Sequence, residues 1–238
     1  MLSPASTRST TSTASAFPGA PPTLCMQGVV KRWPRQSKPV LDGVDLDARA
    51  GTVTWIGGRN GAGKTTLLRI AAGLIAADEG TTAVVGLDPE RELRDYQRHV
   101  GFLSGGNGGL YARLTVASHL DFWSRLALVP RSKRRESVEA SLHQFGLEEL
   151  AGRRVDRMSM GQRQRLRLAM TFLHQPTLVL LDEPRNSLDD DGLAVLLEAL
   201  RILTVRGGTA IWCSPSGEDL GFEPDARMLV QAGRLTPA

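Results

Sequence analysis

The spacing of apolar and polar positions changes period repeatedly along the 238 residues of this chain. Val40-Leu41-Asp42-Gly43-Val44-Asp45-Leu46-Asp47 alternates apolar and acidic residues, the period of two expected of a half-exposed strand. Leu24 to Val30 alternates more weakly and predicts its partner strand, with Lys31 to Pro39 as the turn between them. Thr52 to Ile56 predicts a strand and Thr66 to Leu74 a helix. Asp78-Glu79-Gly80 predicts a turn, Thr81 to Val85 a strand, Pro89 to Gln97 a helix and Val100 to Leu103 a short buried strand. Ser104 to Gly109 is a glycine-rich loop. Leu114 to Leu128 predicts a helix capped by Thr115, and Arg131 to Phe145 another, with Gly146 beyond its end. Arg163 to His174 predicts an Arg-rich amphipathic helix. Thr177 to Leu181 is an uninterrupted apolar run, as in a parallel strand covered on both faces. A helix over Gly192 to Thr204, a strand over Thr209 to Cys213 and a closing hairpin around Met228 to Gly233 complete the pattern. Strands alternating with helices predict an α/β core with a mainly parallel sheet.

Composition narrows the class less than the pattern does. A hydrophobic fraction of 41% supports a buried core, in one large domain or two small ones. The formal charge of +4 suits a nucleotide, an anionic membrane surface or a nucleic acid equally. Cys25 and Cys213 stand far apart, in neither a metal spacing nor a disulfide framework, so a reducing cytoplasm is expected. No apolar run approaches the roughly 20 residues needed to span a bilayer, so the chain is not read as a channel or permease. Residues 1–22, rich in Ser, Thr, Ala and Pro, are expected to form a disordered tail ahead of a folded unit over 23–238. A transit peptide and an over-long start are the other readings of that segment.

The chemistry concentrates first in Gly58-Arg59-Asn60-Gly61-Ala62-Gly63-Lys64-Thr65-Thr66, which fits G-x-x-x-x-G-K-[ST] between a strand and a helix. Glycines let successive N–H groups curl around phosphate oxygens, Lys64 can reach the β- and γ-phosphates, and the Thr65 hydroxyl is placed for Mg²⁺. A chance glycine-rich turn is the bland reading, and the strand–loop–helix context argues against it. The second concentration ends the apolar run at Asp182-Glu183. At the carboxyl end of a central strand, Asp182 can hold Mg²⁺ and Glu183 can orient and deprotonate water. Two buried charges with no partner would otherwise cost several kcal/mol. Trp33 lies about 25 residues ahead of the loop, where its ring either stacks on a base or is an ordinary surface tryptophan. The run Arg131-Ser132-Lys133-Arg134-Arg135 is read as a solvated helix start, with lipid head groups or nucleic acid as the alternative.

Over about residues 23–238 this constellation resembles the ATP-binding subunits of ABC transporters. Gly58 to Thr65 is similar to their Walker A loop and Leu178 to Asp182 to their Walker B strand, with Glu183 at the catalytic position. Ser159-Met160-Gly161-Gln162 resembles the signature motif, Ser187-Leu188-Asp189 the D-loop, and Trp33 falls at the aromatic A-loop position. The resemblance implies a P-loop NTPase, RecA-like core with an N-terminal antiparallel β-subdomain and an inserted α-helical subdomain over about 92–175. It implies ATP and Mg²⁺, and a head-to-tail dimer in which Ser159, Gly161 and Gln162 of one protomer face the γ-phosphate held by the other. It further implies separate integral membrane permease subunits, a peripheral place on the cytoplasmic face of the membrane, and no nucleic acid. Gly109 to Thr115 resembles the loop of exporting members.

Three positions depart from the family pattern, the mildest being Met160 in place of a signature glycine. Gly105 stands where the Q-loop glutamine is expected, with Asn107 as a possible substitute, and Pro215 stands where the switch histidine is expected. Proline offers no side-chain donor, so slow hydrolysis, or hydrolysis shared with a different partner subunit, is expected. The competing readings are a soluble ABC-type ATPase acting on nucleic acid or ribosomes, and a nucleotide-dependent regulator. Only 95 positions separate Lys64 from Ser159, without sustained heptads, which leaves no room for the long coiled coil of chromosome-maintenance members.

Overall fold

The computed structural model describes residues 21–34, 37–106 and 108–238. The tail expected over 1–22 lies outside the described residues except for Pro21 and Pro22, and Asn107 lies outside them too. Strands β1 (Leu24–Lys31), β2 (Leu41–Ala48) and β4 (Glu79–Val84) form an antiparallel sheet in the order β2-β1-β4. In β2 the alternation holds as read: Leu41, Val44, Leu46 and Ala48 are buried while Asp45 and Asp47 face solvent. The turn expected at Asp78-Glu79-Gly80 is a correction, because Glu79 and Gly80 already belong to β4. Gly80 has φ +87°, and a Cβ there would come within 2.5 Å of the Gln27 and Gly28 carbonyls. It marks a bulge where the β1–β4 register shifts, and a bulge glycine reads as a turn in the sequence alone.

The larger sheet contains β3 (Val53–Gly57), β5 (Val100–Leu103), β6 (Leu178–Asp182), β7 (Thr209–Ser214), β8 (Ala226–Gln231) and β9 (Arg234–Pro237), in the order β5-β6-β7-β3-β8-β9. Its pairs are parallel except the closing β8–β9 hairpin. The helices are α1 (Lys64–Ala71), α2 (Pro89–Arg98), α3 (Val116–Leu126), α4 (Arg134–Gln144), α5 (Met160–Phe172) and α6 (Asp190–Val205). Helix α5 begins three residues before the expected Arg163, since Ser159 and Gln162 form a reciprocal capping box. Helix α6 begins at Asp190 rather than Gly192, because the Asp189 carboxylate accepts the Gly192 N–H at 2.8 Å. The segment expected to be helical from Arg131 opens with a 3₁₀ turn over Arg131–Lys133. Strand β5 lies inside the span expected for the helical subdomain, yet it is the edge of the central sheet; α3 and α4 follow it as the packed helical pair.

Period-2 strands buried on both faces divide the interior into two cores. Val53, Trp55, Val179, Leu181, Ala210 and Trp212 face one side, where α5, α6 and the α3–α4 pair pack. Ile56, Leu178, Leu180, Ile211 and Cys213 face the other, where α1 and the antiparallel sheet pack. Helices α1 and α5 thus lie on opposite faces of the sheet.

Candidate nucleotide site

The phosphate-loop motif leaves β3 at the middle of the central sheet. Every residue of β3 is buried, which fixes the point from which the loop departs. Two of its glycines are required by their neighbours. A Cβ on Gly58 would approach the Val230 carbonyl to 2.8 Å, and one on Gly63 the Val40 carbonyl to 2.9 Å, with φ +156° and +111° respectively. Gly63 is also the N-cap of α1 and brings no side-chain acceptor, so the first-turn N–H groups of α1 are left for a ligand, with the positive end of the helix dipole behind them. Lys64 is only 5% exposed, and its Nζ lies 2.6 Å from Gly58 O and 3.1 Å from Arg59 O, arched over the loop. Arg59, Asn60 and Gly61 are exposed; Ala62, Thr65 and Thr66 are half-buried.

The acid pair closes on this loop. Asp182 ends the wholly buried β6 and is 4% exposed. Its Oδ2 accepts the Thr65 Oγ1–H at 2.8 Å, and the Gly105 main-chain N–H faces the same carboxylate. Burial pushes the carboxyl above its ordinary pKa; the Thr65 and Gly105 bonds pull it down. A buried carboxylate whose close partners are a hydroxyl and an amide is short of positive charge, which fits a hard divalent cation held by Asp182 and Thr65. Glu183 follows in the left-handed region with φ +50°, uncommon for a residue with a side chain. Its N–H still donates to Cys213 O at 2.8 Å, so the strand bends only after its last ladder bond. The Glu183 Oε2 accepts from Asn186 Nδ2 at 2.8 Å.

Strand β7 runs between β3 and β6, so its end, Ser214-Pro215, emerges between the phosphate loop and the acid pair. Ser214 Oγ accepts the Trp55 Nε1–H at 2.8 Å, tying β7 to β3 there. Pro215 stands at that position with no side-chain donor. Trp33 is half-buried just beyond β1, with Lys31 Nζ 5.5 Å from the centre of its ring. The segment that follows this turn reaches the phosphate loop at Val40.

Ser159, Gly161 and Gln162 sit apart from this cluster, at the start of α5 on the other face of the sheet. Ser159 Oγ accepts the Gln162 N–H at 3.2 Å, and Gln162 Oε1 accepts the Ser159 N–H at 3.1 Å. A Cβ on Gly161 would lie 3.3 Å from the Ser187 carbonyl, which places this motif against the turn after Glu183. Sequence reasoning missed two residues of α5. Gln164 and Arg167 are buried and hydrogen-bond to the segments on either side of Asp182. The signal was an arginine on the buried stripe of an otherwise apolar helix face, which an Arg-rich composition conceals.

A glycine cradle with a lysine over it, at the end of a central parallel strand and beside a buried Walker B aspartate, defines a P-loop nucleotide-binding ATPase fold. Among solved structures, an ATP-binding subunit of an ABC transporter superposes with a TM-score of 0.81 at 22% identity, over 90% of both chains. Residues 41–186 match the family model described as ABC transporter. The chain is 32% identical over 198 residues to the ABC transporter ATP-binding protein NatA of Bacillus subtilis, covering 83% of this chain and 80% of that one. It is 32% identical over 212 residues to the daunorubicin resistance ATP-binding protein DrrA3 of Streptomyces coeruleorubidus (89% and 66%). It is also 32% identical over 227 residues to the phosphonates import ATP-binding protein PhnC of Rhodopseudomonas palustris (89% and 82%). The chain belongs to the ABC transporter family, as an ATP-binding, ATPase subunit. No helix among the described residues is long and apolar enough to cross a membrane.

Proposed function

We propose that this subunit binds and hydrolyses Mg-ATP at the interface of a head-to-tail dimer, homo- or heteromeric, and so powers transport by separate membrane permease subunits. The observation that carries this reading is the 2.8 Å bond from Thr65 to Asp182, which joins the phosphate loop to the acid pair. Gly58, Arg59, Asn60, Gly61, Ala62, Gly63, Lys64, Thr65 and Thr66 hold the triphosphate, chiefly through main-chain N–H groups and the Lys64 ammonium. Asp182 and Thr65 hold Mg²⁺, which when bound neutralises charge on the phosphate oxygens. Glu183 accepts the proton of the attacking water, and its carboxylate is steadied by Asn186. Trp33 stacks on the base. Ser159, Gly161 and Gln162 serve the γ-phosphate of the opposite protomer, a role consistent with the place of α5 across the sheet from α1.

The direction of transport is proposed as export. Gly109 to Thr115 resembles the exporter loop, and a relative is named for drug resistance. A relative named for phosphonate import supports the opposite direction, and reconstitution with the permease decides between them. The place proposed for the subunit is the cytoplasmic membrane face, bound to its permease. A second reading, a nucleotide-dependent regulator or soluble ATPase with weak hydrolysis, is favoured by Pro215 and Gly105. Two measurements test the function: calorimetry with Mg-ATP, and phosphate release by wild type and Glu183→Gln. Binding with turnover that collapses in Glu183→Gln supports it; no heat of binding sinks it. Co-purification with a polytopic membrane protein separates the transporter reading from the regulator.

A further inference from the structure

Arg167 is a cation in an unusual place. It sits in the middle of α5 with 7% exposure, and among the described residues no carboxylate lies within 4 Å of it. A buried guanidinium without a counter-charge is costly, so what it touches matters. Its Nη1 donates to Gly106 O and, at 2.9 Å, to Gln164 Oε1; its Nη2 donates to Ser104 O and, at 3.3 Å, to Ser104 Oγ. Two of its main-chain acceptors therefore flank Gly105. Gln164, 4% exposed, passes the connection on, because its Nε2 donates to Pro184 O at 3.0 Å.

The loop so held is the one that meets Asp182. A Cβ added at Gly105 would stand 3.2 Å from Asp182 Oδ2, closer than an ordinary van der Waals contact, so the absent side chain is what lets the main chain approach. The Gly105 N–H faces the carboxylate and lowers its pKa. One guanidinium and one amide thus brace both loops at the candidate metal site, residues 104–106 and residue 184, from a single helix.

We propose that Arg167 is a positioning residue for the metal-binding carboxylate. By clamping Ser104 O and Gly106 O it holds the Gly105 main chain against Asp182, so that main chain fixed from α5 does what a side chain at position 105 does not. This rests on the Mg-ATP reading above. The interaction is an outer-sphere one, and such contacts typically change metal affinity by about 10- to 100-fold.

The test uses the full chain with ATP bound and Mn²⁺ titrated as a paramagnetic probe, followed by electron paramagnetic resonance. ATP affinity in EDTA is measured in parallel. Arg167→Met is expected to weaken Mn²⁺ binding about tenfold while ATP affinity in EDTA stays within about twofold. Arg167→Lys is expected to fall between, since an ammonium lacks the planar fork that spans two carbonyls. Gly105→Ala leaves Arg167 in place and crowds Asp182 Oδ2 at 3.2 Å; it is expected to reproduce the Mn²⁺ defect, and it decides the matter if Arg167→Met does not fold. Unchanged Mn²⁺ affinity in Gly105→Ala, or a parallel loss of metal-free ATP affinity in the folded Arg167 variants, overturns the proposal. A wild type that binds no ATP at all sinks the Mg-ATP reading instead, so the two failures are distinguishable.

Discussion

At the scale of single residues the informative positions are those where a side chain either meets the nucleotide or is missing. Trp33 is half-buried, with Lys31 Nζ 5.5 Å from the centre of its ring. If its face receives the base, Trp33→Ala lowers ATP affinity roughly tenfold in calorimetry, since stacking on an aromatic contributes about 1–3 kcal/mol. An unchanged affinity returns Trp33 to an ordinary surface role. Pro215 is the converse case. It emerges between the phosphate loop and Asp182, where a donor to the γ-phosphate is expected and none is available. Pro215→His supplies one, and the turnover number is expected to rise about tenfold or more with KM nearly constant. A turnover that stays flat shows that another group already does this work. Legibility follows the same division. Gly58 to Thr66 and Asp182 were readable as one cluster because they follow a phosphate-loop spacing and an apolar strand that ends in acids, and Thr65 does meet Asp182 at 2.8 Å; their roles toward nucleotide and metal belong to the proposed function. Arg167 was not, because a buried arginine and a solvent-facing one are the same letter in an Arg-rich stretch, and only contacts across 61 to 63 positions distinguish them.

At the scale of elements, most helices and strands lay within a few residues of where periodicity predicted them, and the errors were at ends. Capping decided those ends: Ser159 moved the start of α5 forward, and Asp189 moved that of α6. The helix α3 has its predicted Thr115 cap, and just inside it His119 has a role the sequence did not announce. His119 is fully buried, stacks on Tyr111 with ring centroids 5.8 Å apart, and its Nε2 accepts the Tyr111 N–H at 2.9 Å. Burial holds its pKa below the ordinary histidine value. The unfolded chain therefore binds the proton more readily, so the stabilisation is complete above about pH 6.5 and is lost as pH falls toward the depressed folded pKa. His174, half-buried and bonded to Val100 O at 3.1 Å, shifts the same way. The unfolding midpoint is expected to drop between pH 7.5 and 5.5, and His119→Gln, whose amide oxygen can take the same N–H, to shrink that drop. Equal drops in the two proteins would exclude His119 as a source.

At the scale of the whole molecule, the six-stranded sheet is a partition. Five parallel strands, the inner three wholly buried, carry the phosphate loop and the acid pair at one edge, while α1 and α5 belong to separate cores. The carboxyl ends of β3, β6 and β7 converge, which is where an open parallel sheet places its ligands. On the proposed function, Glu183→Gln retains ATP without turnover, so Mg-ATP is expected to shift that variant from one copy to two in light scattering. Adding Ser159→Ala is expected to weaken the shift. A Glu183→Gln protein that stays single at saturating Mg-ATP contradicts the shared site.

The partition also fixes a rate law. The rigid wall between α1 and α5 keeps a chain's own Ser159 from swinging over its own phosphate loop, so turnover under the proposed mechanism is bimolecular in protein. Specific activity of the isolated subunit should climb with dilution reversed, linearly at low concentration and then to a plateau. Under the proposed function, a permease that holds two copies side by side lifts each subunit out of its dilute and idle regime.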